Sequence, residues 1–274
     1  MIEAVIKYDF LRNAVFAGLL SAVICGVIGV IIVEKKMLMM SGGIAHISYG
    51  GVGLGYLLGF EPIIGAGIFS VIASLVIGGV RRRGGAHTDT VISLLWSLGM
   101  ALGIAFVGLM PGYPPDINSY LFGNILSVTK NDLYIMMPLA AIVLLFVIML
   151  HNDLKSFLFD NSFAKVMGIK VAFLEYAVLI LTALSVVALI RVVGIILVIA
   201  LLTAPAACSA FVSKTFSGRM ITASVFCGFF CLSGLWASYT FGIPSGAAIV
   251  FVSVAVYFIL LIVNKIKNKT LEKF

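Results

Sequence analysis

Charged residues are scarce in this chain, at 11% of 274 residues against 62% hydrophobic ones. That balance excludes a soluble globular domain, where about a quarter of the residues carry charge. No GxxxxGK[ST] phosphate loop is present, so the chain itself is not expected to hydrolyse ATP. It also has no GxSxG elbow, no HExxH pair and no two carboxylates inside one apolar run, which argues against hydrolysis and against proton-coupled transport. The four cysteines, Cys25, Cys208, Cys227 and Cys231, form neither a CxxC motif nor a Cys/His ligand spacing. All four fall inside apolar runs and read as small packing residues. The composition describes a conduit rather than an enzyme.

What remains is apolar sequence in runs of about 20 residues, the length a helix needs to cross roughly 30 Å of hydrocarbon. The mean hydropathy is +1.21. Eight runs are clear: 13–33, 62–80, 90–109, 133–150, 171–190, 192–212, 220–240 and 244–263. A ninth, 37–58, is glycine-rich and is expected to be either broken or closely packed. The fold class is therefore all-α, a polytopic integral membrane bundle of eight or nine transmembrane helices in one permease domain, 1–274. The leading residues MIEAVIKYDFLR read as a short interfacial helix rather than a cleaved signal.

Basic residues mark the cytoplasmic side. Lys35 and Lys36, Arg81 to Arg83, Lys155, Lys165 and Lys170, Lys214 and Arg219, and the lysines of the C-terminal tail all fall on one side when the spans alternate. The C-terminus is expected inside, and nine spans would place the N-terminus outside. The net charge of +7 is spread over these loop ends, which gives no stripe for nucleic acid.

Three features are candidates for function. His46 stands near the middle of MSGGIAHISYGGVGLGYLLG, and an ionisable group at that depth is a functional candidate. Gly42 and Gly43 precede it, while Gly51, Gly55 and Gly59 share one helix face for close packing. Met37, Met39 and Met40 lie nearby and read as packing residues, although thioethers would favour a softer ion. The segment 151–170 is the longest cytoplasmic loop. Asp160 or Ser162 can cap a short helix there, with Phe163, Ala164 and Met167 on one face. That face suits either a soluble partner or the chain's own inner ends. Arg191 lies between two apolar runs at the outer surface, as a partner contact or an interfacial anchor. His87, His151 and Asp89 sit at span ends. The stretch 111–131, with GYPPD and SYLFGNIL, reads as an outer re-entrant or interfacial segment.

Five blocks stand in the order found in one family: KKMLMMSGGIAHISYGGVGLGYLLG, SYLFGNILSVT, FDNSFAKVMGI, RVVGIILVIALLTAPAA and IPSGAAIV. The chain resembles the membrane permease subunit of ABC importers for zinc and manganese over nearly its whole length. The resemblance implies a homodimer that carries a divalent metal inward, two copies of a separate ATPase and an extracytoplasmic metal-binding protein. It places the whole in a prokaryotic plasma membrane. No cofactor is implied for this chain: the metal is cargo and ATP belongs to the partner.

It also implies that 159–169 docks the ATPase, with Asp160, Phe163, Ala164 and Gly168 at the family's positions and Met167 beside them. Arg191 would meet the binding protein. His46 matches the histidine of the family's Gly-Asp-Ala-Leu-Ser-His signature, but Gly42 stands where the acid would be, and Gly242 replaces the acid before the last span. The missing carboxylates leave room for a less charged cargo such as a metal chelate. An ATPase-independent carrier would need coupling residues and inverted repeats that the sequence does not display. A scaffold would need neither the histidine nor the docking helix.

Overall fold

A computed structural model describes residues 7–84, 87–111, 123 and 125–271. The helices are α1 (Asp9–Glu34), α2 (Leu38–Leu58), α3 (Pro62–Arg82), α4 (Thr88–Gly108), α5 (Lys130–Met149), α6 (His151–Phe159), α7 (Asn161–Val166), α8 (Val171–Val212), α9 (Phe216–Phe241) and α10 (Ser245–Leu271). A short 3-10 turn, Ile125–Ser127, leads into α5. Of the expected outer segment, GYPPD and SYLF lie outside the described residues.

The longest element resolves into two limbs. A straight helix of 42 residues would extend about 63 Å at 1.5 Å per residue. Yet both of its ends meet the same charged face. Glu175 pairs with Arg81 at the end of α3, at 3.3 Å, and Ser213 accepts from Arg219, which also pairs with Glu34 at the end of α1. The chain therefore reverses inside α8, and it does so at Gly194, whose φ of 78° is open to glycine and strained for other residues. The sequence puts the reversal at Arg191, the only charge between the runs. Conformational freedom, not charge, decides the place, and the turn lies three residues later.

Eight segments, counting the two limbs of α8 separately, are long and apolar enough to cross a membrane. Helix α2 matches them in length, with 21 residues. Of the two expectations for it, the closely packed one holds and the broken one does not. Its helix is continuous because α3 and α4 clasp it from both sides. In a bilayer, helix association rests on close packing rather than on escape from water, and Gly51 supplies that contact. A Cβ at Gly51 would strike the backbone of Gly65 on α3, so both positions must lack a side chain. Gly59 does not share this face: it ends α2 in the left-handed region, with φ 73° and open space around it. Among the described residues, length and composition thus give eight candidate spans, with α2 beside them as a helix of equal length.

Helix α1 is the centre of the bundle, packed by α9, α8 and α5. Its residues from Ile24 to Ile32 are almost all buried. Cys227 meets both Cys25 and Cys231 there, three free thiols between α1 and α9. The basic ends gather at one face: Lys35 donates to Asn161, and Ser217 and His151 are 3.4 Å apart. His151, expected at a span end, is held there and lies 5.6 Å from the ring of Phe216. Asn13 and Val128 mark the opposite face with a hydrogen bond of 3.3 Å.

Candidate metal path and docking helix

His46 lies two turns into α2, half-buried. Its Nδ1 is 2.9 Å from the carbonyl oxygen of Gly42. A carbonyl only accepts, so Nδ1 carries the proton and Nε2 keeps its lone pair, the tautomer a metal ligand needs. The ring stacks on Trp96 of α4, with centroids 3.7 Å apart and an interplanar angle of 21°.

The same indole covers Gly42. A Cβ built at Gly42 would stand 3.4 Å from the Trp96 ring and 3.9 Å from Ile199. The site of the missing acid is thus an indole-capped hollow beside the histidine. Gly43, in contrast, faces Ile92 of α4, where a Cβ would come within 2.7 Å of a methyl group. Gly55 is tight against Pro62. Gly42 borders the histidine, and Gly43, Gly51 and Gly55 serve packing.

Among the described residues no group of three or more His, Cys, Asp or Glu side chains converges on a metal site. One imidazole in one copy is too few ligands for a resident ion, since structural sites use four. Met37 and Met40 are buried at the charged end of α2, and the Met40 sulfur is 3.7 Å from an Arg81 nitrogen. They join no soft-ligand cluster with His46. Asp89 is exposed in the first turn of α4, the position an acid takes to complement a helix dipole.

The 151–170 segment is more ordered than a loop. It forms two helices, α6 and α7, and the first of them has no counterpart in the sequence reading. Asp160 caps α7, its Oδ1 accepting from the backbone of Ser162 and, at 3.2 Å, of Phe163. Gly168, at φ 79°, closes it, donating to Lys165 while Ile169 donates to Ala164. Such caps hold six residues in a helix too short to persist alone.

The apolar residues of this helix do not share one face. Ala164 is fully buried, whereas Phe163 and Met167 are exposed. Phe159 and Val166, 86% and 87% exposed, extend that outward surface. Sequence reasoning missed both, because their apolar spacing reads equally as inward packing. The surface points away from the chain's own core.

Lys35 ties this helix to the bundle. It donates to the Asn161 side chain at 2.8 Å and sits 3.8 Å above the Phe157 ring. Its pKa is lowered to about 8 by burial and by nearby Arg81, against the opposing pull of Glu175 and Asp160. Because Lys35 stands between α1 and α2, it ties α7 to the turn that leads into the helix carrying His46. The backbone of Arg191 is in the first limb of α8, and its side chain lies outside the described residues.

The sequence profile of a family described as "ABC 3 transport family" matches residues 7–264. A membrane protein of Synechocystis, slr2045, is 39% identical, over 94% of this chain and 93% of its own. The manganese transport system membrane protein MntC of Listeria monocytogenes is 33% identical, over 94% and 92%. The solved structure of PsaBC from Streptococcus pneumoniae in complex with Fab superposes with a TM-score of 0.85 and 30% identity, over 94% and 93% of the two chains. This chain belongs to the ABC 3 transport family, as a multi-pass membrane permease of the metal type whose ATPase is a separate subunit.

Proposed function

We propose that the chain is the membrane path of an ATP-driven importer that moves a divalent transition metal, manganese or zinc, into the cytoplasm. The observation that carries this reading is His46, held by Gly42 and Trp96 with its Nε2 lone pair free, in a family that carries metals. Similarity to a manganese permease favours manganese. A carrier must also release its cargo, and a single imidazole per copy binds weakly enough for that.

The reading includes a homodimer. Among the described residues, helices α4 and α10 are the least covered candidate spans, and Trp96 is on α4. Two copies joined there bring two imidazoles toward one axis, the minimum for a transient site. The basic face is cytoplasmic, with the C-terminus. Two copies of the ATPase dock on Phe159, Phe163, Val166 and Met167, and an extracytoplasmic binding protein delivers the metal to the opposite face. Arg191 is proposed as its contact. ATP binding and hydrolysis bias two states of the bundle, and Lys35 carries the bias to α2.

The hollow at Gly42 supports a second reading, a metal chelate as cargo, since it removes the carboxylate that a bare cation would use. Uptake of a metal panel by vesicles holding the permease, ATPase and binding protein distinguishes the two. Free-metal uptake lost in His46→Ala supports the first; uptake only with a chelator present supports the second.

A further inference from the structure

Helices α5 and α9 flank α1 without packing along one another, and an apolar groove of about 1040 Å³ opens between them. Its floor is Leu19, Val23 and Val27, and its walls include Ile148 and Val225. The groove ends at His151 and Ser217, the hydrogen-bonded pair on the basic face. On the other side of that pair lies a second pocket of about 660 Å³, lined by Asn152, Lys155, Lys214 and Arg219 and bordered by Phe159 and Phe163 of the proposed ATPase surface.

Its lining is mixed, with apolar rings beside charged groups. Three cations meet one carboxylate, Glu34, which is already paired with Arg219. Among the described residues Lys155 and Lys214 have no ion-pair partner, so two positive charges remain where the apolar groove meets the membrane surface. Asn152 follows His151 and Phe216 precedes Ser217, so the two pockets adjoin along both chain segments. A ligand that fills both needs a long apolar chain and an anionic head.

We propose that this pair of pockets is a binding site for an anionic phospholipid, with an acyl chain in the α1/α5/α9 groove and the phosphate at Lys155 and Lys214. The chain gains little by leaving other lipid for the groove, because both surroundings are apolar. Selectivity therefore lies in the head, and basic residues at the inner membrane surface attract anionic lipid. No residue of α4 or α10 lines the groove, so a second copy docked on those helices leaves it open, and the ATPase, which borders the head site, is kept in the test. The inference rests on membrane insertion alone and not on the identity of the cargo.

The test uses the permease with its ATPase, purified in detergent and equilibrated with equal amounts of phosphatidylglycerol and phosphatidylcholine. Native mass spectrometry counts the lipids retained. Two cations predict roughly thirtyfold enrichment of phosphatidylglycerol. Lys155→Gln with Lys214→Gln brings the ratio near one, and Val23→Trp, which fills the groove, reduces retention of both lipids while circular dichroism stays unchanged. Equal retention by the unaltered complex overturns the proposal, as does a preference that survives the double substitution. Glycerol 3-phosphate that displaces the lipid at matched concentration also overturns it, because the acyl groove then contributes nothing. A preference seen only without the ATPase assigns the basic pocket to the ATPase and overturns it equally. None of these readouts depends on metal uptake.

Discussion

The indole of Trp96 covers both His46, at 3.7 Å between ring centroids, and the Cα of Gly42, where an added Cβ would lie 3.4 Å from the ring. One side chain thus packs on the candidate ligand and on the position of the absent one. It follows that a carboxylate at Gly42 would be aimed at a site already furnished with an imidazole four residues on, on the same helix face. Gly42→Asp is expected to be tolerated, and in the background of Trp96→Ala it has more room. Binding of Mn(II) to the purified permease should tighten by about tenfold, the order expected for one added charged ligand. Calorimetry that finds no change would separate His46 from the metal path.

Packing between α2 and α3 predicts a sharp contrast between two glycines. Gly51→Ala sets a methyl group against the backbone of Gly65, and overpacking of this kind costs about 1–3 kcal/mol. Gly67 on α3 has nothing within 4 Å of its would-be Cβ, and Gly67→Ala should be neutral or stabilising by up to about 1 kcal/mol. Thermal unfolding in detergent reads both, and equal shifts would refute the close contact.

The proposed docking surface yields a prediction in two directions. Phe163→Ala and Met167→Asp change exposed side chains, so the permease should keep its unfolding temperature but lose co-purified ATPase by tenfold or more, as removal of an interface anchor does. Ala164→Trp acts on the buried side and should lower the stability of the permease itself. A Phe163→Ala permease that retains its ATPase fully would place the interface elsewhere.

Lys35 gives a pH-dependent signature. Its folded pKa of about 8 lies below the usual lysine value, so the folded state binds fewer protons than the unfolded one between about pH 8 and 10.5. Its contribution to stability is therefore unfavourable below pH 8 and is relieved as pH rises through that window. Lys35→Met should show a shallower rise of stability with pH there. If Lys35 carries the coupling, the same variant should hydrolyse ATP while importing less metal per ATP, measured in vesicles.

Much of this was legible in the sequence, for reasons that differ by element. Runs of apolar residues locate eight segments because a bilayer demands length and apolarity together, and Asp160 and Gly168 bound α7 because caps are chemical requirements. Helix α2 was ambiguous because glycine lowers helix propensity and permits close packing at once. Only its neighbours settle which effect wins. The turn at Gly194 was hidden by Arg191, a charge that looks like a boundary, and α6 by a polar composition that reads as loop. His46 could be singled out by its depth alone. Trp96 could not, since nothing in a sequence announces that a tryptophan 50 residues away will stack on it.

The most direct test of the central claim is ATP-dependent uptake of Mn, Fe, Co, Ni, Cu and Zn by vesicles holding the permease, its ATPase and its binding protein, counted by mass spectrometry beside His46→Ala. The account predicts selective uptake of manganese or zinc that falls at least tenfold in the variant while ATPase assembly and unfolding temperature hold. Uptake of the same metal at an unchanged rate by His46→Ala would contradict it.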